Sequence, residues 1–245
     1  MILLALATAL LLTDPAGDVP PPGYAWPQAA VYQEVGFADL VGFRVEKKQE
    51  GLAFGFRLDR TPNPGRAPLG FSLAVLAVYL DTGPGGLAVL PGAGFPVAED
   101  AAADRAVVVS GWGALLYDLK TGRAVPVPAR RQGDWIVVQT PLPPGRDRYY
   151  PVSGLYDPFA PYGFRRTQVG GGIWAIRAPP QSPNAVDVFD PGAYRRGWLR
   201  PARPPGPSPR RLAVGLLAGL SGVLVAWGGV GAVRARREAR RGPPA

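Results

Sequence analysis

The sequence predicts an all-β protein, a single antiparallel β-sandwich followed by one C-terminal transmembrane helix. Three observations carry that prediction. The 33 glycines and 30 prolines cut the chain into short β-branched runs, with turn signals at the spacing of sandwich strands. Ahead of the C-terminal region no stretch keeps a helical period. Leu212 to Val233, "LAVGLLAGLSGVLVAWGGVGAV", carries no charge and as a helix would reach about 33 Å, enough to cross the hydrocarbon core.

Taken in order, residues 1–13, "MILLALATALLLT", have the length of a signal-peptide apolar region and are too short to span a bilayer. They read as an export signal, although no Lys or Arg precedes them; a first buried strand or an uncleaved anchor is the other reading. The sandwich is expected over 14–193. "LVGFRVEK" and "LAFGFRLD" flank Lys48-Gln49-Glu50-Gly51 as a hairpin, and "FSLAVLAVYLD" is apolar enough to be buried on both faces. "RAVVVSGWG" and "ALLYDL" follow, then a turn at Lys120-Thr121-Gly122-Arg123, "AVPVPA", a turn at Gln132-Gly133-Asp134, and "WIVVQTP".

Beyond the sandwich, residues 194–211 form a Pro/Arg-rich spacer. Its stretch "RPARPPGPSPR" has five prolines and suits a semi-rigid extended chain of about 30 Å. Residues 212–233 form the helix, and 234–245, "RARREARRGPPA", a basic cytoplasmic tail. Gly215-x-x-x-Gly219 and Ala218-x-x-x-Gly222 put small residues on one helix face, which allows weak helix–helix self-association. Arginines flank the helix on both sides, so orientation follows from the export signal: cell membrane, single pass, large N-terminal domain extracytoplasmic.

Composition removes whole classes of chemistry. With no Cys and no His, no zinc cluster, disulfide framework, Cys nucleophile or Ser-His-Asp triad can be built. The only Met is Met1, so a haem held by His or an internal Met is also excluded. The net charge of +9 is confined to the flanks of the apolar helix: Asp14 to Asp190 holds 16 Lys and Arg against 17 acids. A near-neutral folded part argues against nucleic acid as a partner.

A set of short pieces occurs in a fixed order: "DPAGD", "GYAWP", "GFADL", "NPGRAPLGFS", "VYLDT", "LPG", "SGWG" and "SGLYDPFAPYGFRRTQVGGG". Together they resemble the C-terminal domain of glucodextranase, a module also appended to some surface-layer-type pullulanases and found alone in membrane-anchored proteins. The resemblance covers about 14–190. It implies a β-sandwich related to carbohydrate-binding modules, and binding or attachment in preference to catalysis. This chain departs from the family pattern at Val19, where a second acid is common, and in "NPGRAP", which lacks a tryptophan common there.

Two sites are expected. Calcium takes six to eight oxygens, and Asp14 and Asp18 offer two carboxylates on a turn that Gly17 tightens. Asp39 in "GFADL", at the position of an acid in the family pattern, would supply a third. The same aspartates would equally serve as caps of their own turns. Such a calcium would be structural. For polysaccharide, stacking of sugar rings on aromatic faces points to Tyr156 and Tyr162 in the late Pro-rich loop and to Trp26; Trp112, between two glycines after a valine run, is expected to be buried.

No catalytic residues are assigned. The neighbouring acids Glu99 and Asp100, or Asp187 and Asp190, do not by their spacing face one another across a cleft as glycoside hydrolysis requires. The sequence reads as a membrane-anchored, extracytoplasmic, non-catalytic module for α-glucan or cell-envelope glycan. The alternative is a structural protein of the envelope that docks a surface layer, transporter or secreted hydrolase without binding sugar.

Overall fold

The computed structural model describes residues 8–34, 36–145 and 148–202. The predicted transmembrane helix over 212–233, the basic tail and residues 203–211 of the spacer lie outside them, while residues 194–202, predicted as spacer, pack onto the domain through Leu199 and the Ala202–Tyr149 bridge; among the described residues no helix is long and apolar enough to cross a membrane.

The described chain is almost entirely strand and loop. Strand β1 (Thr8–Thr13) is followed by β2 (Gly42–Lys48) and β3 (Gly51–Arg57), the hairpin predicted around Lys48 to Gly51. Next come β4 (Ala74–Asp81), β5 (Arg105–Ser110), β6 (Gly113–Asp118), β7 (Arg123–Val127), β8 (Ala129–Gln132) and β9 (Trp135–Thr140). Strand β10 (Arg148–Leu155), the two-residue strands β11 (Thr167–Gln168) and β12 (Ile176–Arg177), and β13 (Ala185–Val188) complete the set, with one helical turn, α1 (Ala193–Arg196).

Two antiparallel sheets result. One has five strands in the order β1-β2-β3-β9-β8, the other six in the order β13-β10-β4-β5-β6-β7. A single apolar cluster joins their facing sides: Phe43, Phe54, Phe56 and Val138 from the first, Leu76, Val78, Val107 and Tyr149 from the second. The layout is a sandwich, driven by the period-2 alternation of each strand.

The domain starts earlier than the predicted boundary at Asp14. Thr8–Thr13, half of the run read as an export signal, pairs antiparallel with β2 as the edge of its sheet. The leucines alternate as a half-buried strand should: Leu10 is buried and Leu11 exposed. The stretch "AVPVPA" also divides differently. Its first part is β7 in the six-stranded sheet, its end begins β8 in the other, and the chain crosses at Pro128. Proline has no N–H for a ladder, so a strand break there costs no hydrogen bond.

As predicted, β4 is buried on both faces. Ala74, Leu76, Val78 and Leu80 point into the inter-sheet core. Val75, Ala77 and Tyr79 point into a second core on the opposite face, together with Leu90, Phe95, Tyr150, Phe164 and Leu199. That outer face is roofed by the long connection between β4 and β5 and by chain after β10. Tyr79 donates its buried hydroxyl to the Pro91 carbonyl and Tyr150 donates to the Ala101 carbonyl at 2.6 Å, so the roof is pinned by hydrogen bonds as well as by packing.

Candidate functional site

The roof over the six-stranded sheet stops short of its last strands. Cross-strand partners share a face, so Val108, Leu115 and Pro126 form one row, and Ala106, Tyr117 and Ala124 another. Leu115 and Pro126 are left at the surface. Above this floor stand rings from two loops. Trp112, at the tip of the β5–β6 hairpin, stacks on Tyr156 with centroids 5.0 Å apart and planes 25° apart. Tyr162 lies over Tyr117 at 4.6 Å. Together they line a groove of about 420 Å³ whose polar groups include Ser110 and Asp157.

Backbone constraints fix these rings. Gly111 passes so close to the chain before β4 that a Cβ there would lie 1.7 Å from the Phe71 carbonyl oxygen, which is why a glycine precedes Trp112. The loop "NPGRAP" packs alongside: Asn63 accepts from the Ala67 N–H at 2.7 Å, and Gly65 lies against the Trp112 ring. Tyr162 sits in the left-handed region at φ 58°, a conformation that costs a non-glycine residue about 1 kcal/mol or more. Its ring is thereby set over Tyr117.

Trp112 is therefore a correction to the sequence reading. It is 49% exposed, not buried: Val109 at the end of β5 faces the core, but the chain turns out at Gly111. Of the aromatic residues singled out from sequence, Tyr156 and Tyr162 line the groove. Trp26 does not; it packs at 4.9 Å against Phe37 at the edge of the inter-sheet core. Tyr117 was not singled out from sequence, though its place two residues beyond Leu115 on an edge-side strand marks the same face.

A second concavity of about 550 Å³ adjoins the groove through Asp157 and Ala160. Its rim carries Phe159, Ile173 and Trp174, all exposed. Arg165 ties the two loops together, donating to the Trp174 carbonyl at 2.9 Å and the Tyr156 carbonyl at 3.2 Å. Arg166 is exposed beside it.

The acidic turn lies elsewhere, where the open edge between the two sheets is closed. Asp14, Asp18 and Asp187 present carboxylate oxygens within 4.8 Å of one another. Asp39, wholly buried, accepts from the Gly17 N–H at 2.6 Å, and its other oxygen, also buried, has no hydrogen-bond partner. Asp187, on β13, accepts from the Leu40 N–H at 2.5 Å and the Val188 N–H at 2.7 Å. Burial and then the neighbouring aspartates raise these carboxyls: Asp39 to about 6, Asp187 to about 8, Asp14 by direction. Asp14 and Asp18 thus meet Asp187, whereas Asp39, expected as the third carboxylate, lies outside that set and reaches the turn through the Gly17 N–H.

The neighbouring acids are drawn into separate contacts. Asp190 pairs with Arg196 and accepts from the Arg200 N–H, whereas Asp187 belongs to the acidic turn. Asp100 pairs with Arg148 at the far end of β10.

The family model for the C-terminal, surface-layer-homology-like binding module of glucodextranase matches residues 10–195. The chain belongs to this family. The match begins within β1, in agreement with the early start of the domain. No curated protein matches the chain. The family is one of binding modules, and among the described residues of this member the groove and its neighbouring concavity are both lined by aromatic rings at the surface.

Proposed function

We propose that this member of the glucodextranase C-terminal family is an exported, membrane-anchored, non-catalytic module that binds polysaccharide in the groove of Trp112, Tyr117, Tyr156 and Tyr162. The observation that carries the reading is the Trp112–Tyr156 stack, a half-exposed ring held from behind by a second ring. A pyranose offers an apolar C–H face to such a platform and hydroxyls to flanking polar groups, here Ser110 and Asp157. Family membership supports binding over catalysis.

The anchor in this reading is Leu212–Val233, reached through the Arg200–Arg210 spacer. The groove lies at the Tyr156 end of β10, and the described chain leaves from the other end, where Ala202 bridges to Tyr149. Seven residues of strand separate these ends, about 23 Å. Affinity electrophoresis and calorimetry of the detergent-solubilised protein against starch, dextran and purified cell wall test the proposal; retention by at least one is expected, and retention by none overturns the glycan reading.

One observation favours a second reading, docking to an envelope protein. Phe159 is 94% exposed and lies with Ile173 and Trp174 on adjacent loops, more apolar surface than sugar stacking needs. A stoichiometric protein partner recovered from solubilised membranes, lost on Phe159→Ser, would support it.

A further inference from the structure

We propose that the acidic turn is a calcium site, independent of the groove, in which Asp187 of β13 completes a set begun by Asp14 and Asp18. Three carboxylates, two from one turn and one from a strand far along the chain, meet within 4.8 Å. Oxygens on opposite sides of a calcium ion bound at 2.3–2.6 Å stand about 5 Å apart, so that spacing fits the ion without rearrangement. No Lys or Arg among the described residues forms an ion pair with any of the three, so their repulsion is relieved either by proton uptake or by a bound cation.

A second, separate observation points to the same ligand. Asp39 is wholly buried, and one of its oxygens has no hydrogen-bond partner. Its other oxygen is fastened to Gly17, between Asp14 and Asp18, so the side chain is directed at the turn. Leaving a buried carboxylate oxygen unpartnered costs about 1–3 kcal/mol or more; a cation held by the three neighbouring carboxylates would lower that cost through its field. Asp187 is held for the role by two backbone N–H donors, from Leu40 and Val188. The donors are all oxygen, which selects a hard divalent cation. Their placement on an irregular turn and a strand suits the adaptable shell of calcium better than the compact octahedron of magnesium.

The ion would act as a clasp. Asp14 and Asp18 follow β1 of the five-stranded sheet, and Asp187 lies on the edge strand of the six-stranded one. Binding would join the sheets where Asp187 already meets Leu40 and where Ser153 donates to the Ala38 carbonyl.

The test uses the full chain in detergent, stripped with EDTA and melted with and without CaCl2 or MgCl2. At calcium 100-fold above its Kd, the melting temperature should rise by about 5–10 °C. Asp18→Asn, at an exposed position, should fold normally and lose the rise; Asp187→Asn should also lose it. Asp134→Asn, outside the cluster, should keep it. Calorimetric titration of the stripped protein should give one calcium per chain. Coincident melts with and without calcium, a rise that survives Asp18→Asn, or an equal response to magnesium would overturn the assignment.

Discussion

Truncating Trp112 to alanine tests the groove most directly. A tryptophan side chain contributes about 200 Å² of surface, and 49% of Trp112 is exposed, leaving about 100 Å² free. One face is occupied by Tyr156, so a stacked sugar covers the other. At about 25 cal/mol per Å² that contact stabilises by about 2.5 kcal/mol, which at 1.4 kcal/mol per decade is about 60-fold in Kd. Removal of the indole uncovers Tyr156, which recovers part of the contact, so the expected loss is about 10- to 60-fold. The assay is calorimetry with whichever polysaccharide the wild-type protein retains, beside a melting curve. Because half of the ring is already in water, the melting temperature should fall only slightly. A Kd within threefold of wild type, with a tenfold loss in Trp174→Ala instead, would refute the reasoning and move binding to the neighbouring concavity.

Gly111→Ala should destabilise by about 3 kcal/mol, the upper range for overpacking, because its Cβ would lie 1.7 Å from the Phe71 carbonyl oxygen; chemical denaturation measures the first effect, and loss of polysaccharide binding reports displacement of Trp112. Leu76→Ala, in the inter-sheet core, should cost about 2–5 kcal/mol and lower the melting temperature by about 5–15 °C. Deletion of 212–233 should move the protein from the membrane fraction to the soluble one on carbonate extraction while leaving polysaccharide affinity unchanged; continued membrane retention would contradict the anchor.

The architecture was legible because strand burial writes itself into sequence. The hairpin at Lys48 to Gly51 and the double burial of β4 both follow from local alternation and apolar runs. The switch of sheets at Pro128 was marked by the proline, yet "AVPVPA" does not say which sheet each half joins, since pairing partners are distant in the chain. The acidic site was half legible. Asp14 and Asp18 share one turn and announce themselves, whereas Asp187 reaches them only because β13 lies at the sheet edge next to Leu40. Trp112 was misread for a related reason. A valine run predicts a buried strand, but the close passage of Phe71 beneath Gly111 that turns the next ring outward is a tertiary fact.

The six-stranded sheet carries a roof over only part of its outer face, and this makes the proposed binding surface a remainder. The floor of Leu115, Tyr117 and Pro126 on β6 and β7 is on offer because the chain between β4 and β5 and the chain after β10 run out before reaching it. The extent of the platform is then governed by the lengths of two loops, while both cores that stabilise the domain stay the same. A few residues added to either loop would shutter the groove, and a few removed would widen it by another row of side chains. Ligand choice in such a scaffold can drift by insertion and deletion, at positions where a longer loop costs little entropy, without any strand having to change its partner.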